Sequence, residues 1–432
     1  MKAVKRDRMV ATPKHRLVIK KGLISWCLYD WANSAFPTVI TTFVFAAYFA
    51  KGVATDEISG TSQWGYALSL SAIAIAIAGP VLGAIADQSG RRKPWIVFFT
   101  LLTAIACLSL WWVEPDSAFV FKALVAVALA NFAFEMGIVF YNAMLPNLAP
   151  RESIGRWSGW GWGLGYVGGL TCLALVLVGF VQVEVPWFGL DKSSAEHLRV
   201  TGPIVALWII VFALPLLVFT PDEGNVSRYW LDSVREGLGG LIRTLKNLGR
   251  YEHLVWFLLA RMIYTDGLNT LFAFGGIYAA VTFGMAFSEL ILFGVAINVT
   301  AGIGALGFAW SDDYFGAKRT ILGALGALTV ISAALLIIEN KTLFWAVGVS
   351  IGFFVGPAQS ASRSMMARLA PKDMRAEFFG LYAFSGKATA FLGPAAVAVF
   401  TDLYQSQRAG MATIVVFFVL GMLLMKRVPD IR

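Results

Sequence analysis

Apolar residues fall along this chain in runs of about 20, separated by short polar or basic stretches. A helix rising ~1.5 Å per residue crosses a ~30 Å hydrocarbon core in such a run. Twelve runs can be marked, at 24–50, 62–86, 94–113, 118–145, 157–182, 201–220, 253–281, 288–311, 319–338, 342–366, 376–400 and 409–426. The pattern predicts an all-α membrane protein with twelve transmembrane helices. It divides the chain into a tail (1–21), a six-helix bundle (22–220), a connection (221–252), a second six-helix bundle (253–427) and a short tail (428–432). An even number of crossings puts both termini on one side.

Composition agrees. Of 432 residues, 58% are hydrophobic and only 14% charged, too few charges to cover a soluble protein of this size. Basic residues fix the orientation. With the N-terminus in the cytoplasm, inner segments hold 26 of the 35 Lys and Arg residues, outer loops hold six, and three fall inside predicted helices. That bias is the positive-inside pattern, so both termini are expected on the cytoplasmic side of a cell inner or plasma membrane. The net charge of +9 follows the loops and implies no nucleic-acid partner. The basic N-terminus reads as a retained tail, since no cleavable leader pattern follows it. Cys27, Cys107 and Cys172 lie in apolar runs, and the three histidines are dispersed, so neither a disulfide framework, a metal site nor a cofactor is expected. "SGKAT" (Ser385 to Thr389) is no phosphate loop: Leu381 stands where that motif needs glycine.

In the connection, Leu231, Val234, Leu238, Leu241, Leu245 and Leu248 recur at helical spacing, with Arg235, Arg243, Lys246 and Arg250 between them. This predicts an amphipathic helix, either lying on the inner membrane surface or packed on the protein.

The halves repeat in parallel. D-x-x-N-[ST]-x-F occurs in the first helix of each, from Asp30 and from Asp266. "DQSGRRK" from Asp87 is answered by "DYFGAKR" from Asp313, and "LAPRESIGRWSG" from Leu148 by "LAPKDMRAEFFG" from Leu369. Two tandem six-helix halves form a transporter architecture with a site at their interface.

Charges in hydrocarbon cost about 2.5–3.5 kcal/mol each on insertion scales, so they face a cavity or a partner. Six stand inside predicted helices: Asp30, Glu135, Arg261, Asp266, Arg363 and Lys387. Asp266 lies about 20 Å of helical rise beyond His253. Asn269 follows one turn later on nearly the same face, and Asn33 rides with Asp30 in the same way. These eight residues are the candidate substrate or proton site. The carboxylates suit an ammonium group or a proton, and Lys387 or Arg261 suits a substrate carboxylate. Pairing among the charges, merely tying helices together, is the alternative. Gly161, Gly165 and Gly169 mark close helix packing.

Gly83, Asp87, Gly90, Arg91, Arg92 and Lys93 match the inter-helix motif of the major facilitator superfamily. "LYDWANSAF", "NFAFEMGIVFYNAMLPNLAP", "SASRSMMARLAP" and "EFFGLYAFSGKATAFLGP" are similar to its vacuole-effluxer-like branch, related to the fungal autophagy-associated amino-acid permeases. The resemblance implies secondary transport by alternating access, of amino acids or similar zwitterions, with export favoured; protons or the solute gradient are expected to supply the energy, since no ATP-hydrolysing motif is present. It also implies a gate in which Asp87, beside Arg91 and Arg92, faces a helix N-terminus of the other half, and it makes Asp313 the matching gating candidate. The expected partners are a small solute, protons and membrane lipids, with the chain acting as a monomer. The alternatives are a cation-coupled carrier of sugars, peptides or other organic solutes, a non-transporting sensor, and a lipid-moving protein. One departure stands out: Ala309 replaces the motif glycine in the second half and Asp312 adds a charge, which predicts looser packing of helix 8 there.

Overall fold

A computed structural model describes residues 13–222 and 230–430, without the side chains of 13–19, 230, 231, 248, 287 and 288. Parts of both predicted tails (1–12 and 431–432) and of the connection (223–229), with Leu231 and Leu248 of its apolar stripe, lie outside this description. All described elements are helical.

Ten segments are long and apolar enough to cross a membrane. They are span 1 (Lys20–Val53), span 2 (Glu57–Ser89), span 3 (Lys93–Trp112), span 4 (Ser117–Leu148), span 5 (Arg151–Val181), span 6 (Glu196–Phe219), span 8 (Glu289–Phe315), span 9 (Ala317–Ile337), span 10 (Lys341–Leu369) and span 12 (Gln407–Met425). Two more complete the twelve-helix fold, and they are the polar ones. Span 7 is the continuous helix Glu252–Phe283, whose apolar run is interrupted by Arg261 and Asp266. Span 11 is broken into 11a (Arg375–Ser385) and 11b (Leu392–Tyr404). The sequence pattern predicted one continuous helix over 376–400. Instead, the regular helix ends at Ser385 and resumes at Leu392, with turn-type bonds such as Ala390 N–H to the Lys387 carbonyl between them. The restart comes just before Gly393-Pro394, where proline has no N–H to continue the ladder. Span 1 is also irregular. It widens into a π-helical stretch, Phe36–Phe43, one residue before Pro37.

Each half closes on itself in the same way. Span 6 ends at Pro221-Asp222, and Asp222 accepts from the backbone N–H groups of Arg92 and Lys93 at 3.1 and 2.9 Å. The Lys93 ammonium donates back to the Leu217 carbonyl at 2.8 Å. The second half repeats this with Pro429-Asp430: Asp430 pairs with Arg319 at 3.0 Å, and Lys318 donates to the carbonyls of Lys426 and Val428. The cations thus satisfy the last carbonyls of spans 6 and 12.

The connection forms a helix over Trp230–Lys246. It packs on span 2 through Ser233, Gly237, Leu241 and Thr244, all buried. The contact is close enough that a Cβ at Gly237 would lie 2.9 Å from the Ile85 backbone. Leu238, Ile242 and Leu245 stay exposed on the opposite side, with Arg235, Arg243 and Lys246 beside them. The helix is therefore packed on the protein and still presents an apolar face flanked by cations.

Candidate functional site

The end of the bundle that carries Asp87 and Asp313, the basic end, is closed by two matched latches. Asp87 ends span 2 and accepts from the backbone N–H groups of Ala376 and Glu377 at 3.0 and 2.8 Å, the first turn of 11a. Asp313 ends span 8 and accepts from those of Gly155 and Arg156 at 2.9 and 3.2 Å, the first turn of span 5. Each carboxylate thus meets the positive end of a helix from the other half. The two "LAP" repeats are the receiving sides: Gly155 and Ala376 hold equivalent places in them. Arg92 pairs with Asp87 at 3.1 Å, whereas Arg91 is exposed and stands outside the latch.

Sequence reasoning missed Arg368, which reaches from span 10 to Asp312 at 2.5 Å and to Asp313 at 3.4 Å. The Ser364 hydroxyl also donates to Asp312. The extra aspartate is therefore buried and paired. Nor does Ala309 loosen helix 8, as its departure from the motif predicted. Gly159 of span 5 faces it, and a Cβ there would lie 2.6 Å from that of Ala309. The glycine missing from span 8 is supplied by its partner. Because Arg368 keeps Asp312 when Asp313 is neutralised, Asp313→Asn is expected to open the basic end less than Asp87→Asn, which removes up to about 2 kcal/mol of charge–dipole attraction. Labelling of cysteines introduced behind each latch measures the difference.

At mid-depth, four of the six intramembrane charges pair across the halves. Arg363 of span 10 enters the first half, donates to Asp30 at 2.8 Å, to the Ser158 hydroxyl at 2.9 Å and to the Ser158 carbonyl at 2.6 Å, and lies 4.7 Å from the Trp26 ring centre. It is 2% exposed and Asp30 7%, so this pair is buried. Asn33 is buried one turn further, with its carbonyl oxygen 3.5 Å from the Ser34 hydroxyl. The second pair is Glu135 of span 4 with Lys387, which lies in the break of span 11, at 2.8 Å. Its side chains are 22% and 28% exposed, so this pair is open to a cavity.

The other two charges complete the broken helix. A half-helix ending inside a membrane leaves carbonyls at one tip and N–H groups at the other without partners. Arg261 donates to the Tyr382 carbonyl at 2.6 Å and to the Ser385 hydroxyl at 2.7 Å, at the end of 11a. Asp266 accepts from the Gly393 N–H at 3.1 Å, at the start of 11b. The cation meets the negative tip and the carboxylate the positive one.

The mid-depth cavity, of about 220 Å³, lies between the halves and is lined by Glu135, Asn142, Trp162, Arg261, Asn269, Gln359, Arg363, Phe379, Tyr382 and Lys387, among others. Its size falls below the ~300–1,000 Å³ of drug-sized clefts and suits a small solute. Gln359, in its lining, accepts from the Tyr166 hydroxyl of span 5 at 2.8 Å. Asn269 lines it together with Arg261, Thr265 and Leu268, a single face of span 7, whereas Asp266 does not. The sequence placed Asp266 and Asn269 on nearly one face; the structure turns Asp266 toward Gly393 instead. The arrangement can hold one anionic and one cationic group at the same depth, on charges contributed by opposite halves.

The family described as "Vacuole effluxer Atg22 like" matches residues 50–156 and 150–432. The chain is 27% identical over 413 residues to the "Uncharacterized MFS-type transporter YxiO" of Bacillus subtilis, covering 94% of each. It is 23% identical to "Autophagy-related protein 22" of Coccidioides immitis, covering 81% of this chain and 69% of the relative. Among solved structures, the proton:xylose symporter XylE aligns with a TM-score of 0.72 at 14% identity, covering 96% of this chain and 97% of XylE. The transporter FucP in its outward conformation also aligns with a TM-score of 0.72 at 14% identity, covering 96% and 99%. At such identities these structures speak for the fold alone.

Proposed function

From the premise that the chain belongs to the Atg22-like vacuole effluxer family of major facilitator transporters, we propose that it carries amino acids or similar small zwitterions outward in exchange for protons, by alternating access. The basic end is the cytoplasmic one, by the loop-charge bias, and the membrane is the cell's inner or plasma membrane. The observation that supports this reading best is the Glu135–Lys387 pair. Each partner belongs to a different half, and both are partly exposed in a cavity of about 220 Å³. A zwitterion inserted between them replaces one ion pair with two, its ammonium group on Glu135 and its carboxylate on Lys387. Binding thereby loosens a tie between the halves, which alternating access requires. A neutral sugar offers either side chain hydrogen bonds but no counter-charge.

The test is uptake of labelled amino acids by the purified protein in liposomes, with and without a pH gradient. Charged hydrogen bonds contribute about 1.5–3 kcal/mol each. Glu135→Gln or Lys387→Gln should therefore raise the half-saturating concentration roughly ten- to a hundredfold. Glu184→Gln, in the loop after span 5, should leave it unchanged. Absence of flux for every small solute refutes the carrier reading. Flux indifferent to both cavity variants refutes the assignment of the site.

A further inference from the structure

We propose that the connecting helix, Trp230–Lys246, is a docking surface for anionic lipids of the leaflet at the basic end, and that lipid seated on it holds that end shut. The inference goes beyond the carrier reading and does not depend on which solute is carried.

Three observations carry it. The first is depth. Gly237 packs on the backbone of Ala84 and Ile85 of span 2. Ile85 is four residues, about 6 Å of helical rise, short of the end of span 2 at Ser89. The connecting helix therefore lies beside the bundle and not above it. That is the level of the boundary between headgroups and acyl chains, into which interfacial helices sink an apolar face by roughly 5–10 Å.

The second is a strip the protein leaves uncovered. Ser233, Gly237, Leu241 and Thr244 are buried against the bundle. Leu238, Ile242 and Leu245 are 39%, 52% and 47% exposed. They follow one another at four and three residues, so they form one continuous strip.

The third is charge. Arg235 stands seven residues before Ile242 and Lys246 four after it, so both border the strip along one edge. Both are exposed, and neither has an ion-pair partner among the described residues. Asp232, Glu236 and Arg243 lie further round the helix, away from the strip. An apolar strip edged by long cationic side chains is complementary to acyl chains topped by phosphate. A zwitterionic headgroup offers these cations as much repulsion as attraction, so they select anionic lipids. A soluble protein would have to enter the bilayer to reach the strip.

The helix also touches both sides of the latch. Ala84 and Ile85 stand within one turn of Asp87. At the other end of the helix, Thr244 and Asn247 border a cavity of about 330 Å³ together with Asp87 of span 2 and Asp373, Met374 and Glu377 of the second half. When the basic end opens, span 2 and 11a part, and the helix cannot keep both contacts. Lipid that binds the helix in its docked position better than in any other therefore favours the closed form.

The test uses the full-length protein in nanodiscs, either of phosphatidylcholine alone or of phosphatidylcholine and phosphatidylglycerol in equal parts. Spin labels on cysteines introduced at Arg91 and Lys372 report opening as a longer distance. They are read in the wild type and in Asp87→Asn, whose weakened latch leaves room for a gain in closure. Phosphatidylglycerol should raise the ratio of closed to open protein up to roughly twenty-five-fold, about fivefold for each of two cations near the surface. Arg235→Gln combined with Lys246→Gln should abolish that gain, and so should high salt, which screens the headgroup charge. Arg235→Lys combined with Lys246→Arg should keep it. A spin label at Ile242→Cys should collide with dissolved oxygen and be shielded from a water-soluble nickel chelate. Distances indifferent to phosphatidylglycerol in both backgrounds, a neutral double variant that keeps the gain, or a label at Ile242 open to the chelate overturns the proposal. So does a disulfide-linked dimer formed through Ile242→Cys, which assigns the strip to a second copy of the chain.

Discussion

Replacing Arg363 with glutamine is expected to spring the basic end open. Arg363 is the only cation bonded to Asp30 among the described residues, and both are buried, Arg363 at the wall of the mid-depth cavity. Removing one member of a buried pair costs about 3–5 kcal/mol, because the remaining charge keeps its desolvation penalty without its partner. The cost falls on the closed arrangement, in which span 10 enters the first half. Opening the basic end admits water to Asp30 and relieves it. A free-energy change of that size shifts the balance between closed and open forms by a hundred- to a few-thousandfold. Spin labels on cysteines introduced at Arg91 and Lys372, exposed positions of opposite halves at this end, read the change as a longer inter-label distance. The native cysteines are buried and should stay unlabelled. Adding Asp30→Asn removes the stranded charge and should restore most of the short distance, with a coupling of about 2–3 kcal/mol in the double-mutant cycle. An unchanged distance in Arg363→Gln would show that the pair is not a lock.

That prediction also marks where sequence stops being informative. The cost of intramembrane charge singled out Asp30, Glu135, Arg261, Asp266, Arg363 and Lys387 from composition alone. What each one meets depends on contacts between halves. Asp30 and Arg363 are 333 residues apart, and nothing local to either names the other. The repeats were legible as repeats, and the Asp87 turn carried its role by resemblance. That the "LAP" stretches receive the two aspartates was not legible, since backbone N–H groups leave no mark in a sequence. Arg368 was hidden for a different reason: a cation at the end of a span looks like any other contributor to the loop-charge bias. The break in span 11 was hidden because "KATAFLGP" is apolar enough to continue a helix. The two charges that stabilise its tips are on span 7. Looking for partners to Arg261 and Asp266, rather than for kinks in span 11, is the reading that could have found it.

The glycines behind the latches set the other large effect. Gly83 and Gly79 of span 2 lie directly on 11a. A Cβ at Gly83 would meet the Ala376 carbonyl inside contact distance and the Glu377 nitrogen at 2.9 Å. Those atoms are backbone, and the same two residues supply the N–H groups that Asp87 holds. Span 11a cannot retreat from a side chain at Gly83 without leaving the latch. Gly83→Leu therefore combines overpacking, about 1–3 kcal/mol, with loss of a latch worth up to about 2 kcal/mol. It should hold the basic end open more completely than Asp87→Asn, and reduce transport turnover at least tenfold, because the cycle needs the closed form. The repeat supplies an internal check. Gly159 faces Ala309 and the Ala305 carbonyl as Gly83 faces 11a, so Gly159→Leu should have the same effect through the second seam. Gly307→Ala is the control, since a Cβ there has nothing within 4 Å. The same spin-label pair reads all three variants. If Gly83→Leu kept the short distance and normal turnover, closure at this end would not depend on backbone contact between spans 2 and 11, and the latch would have to act through its charges alone.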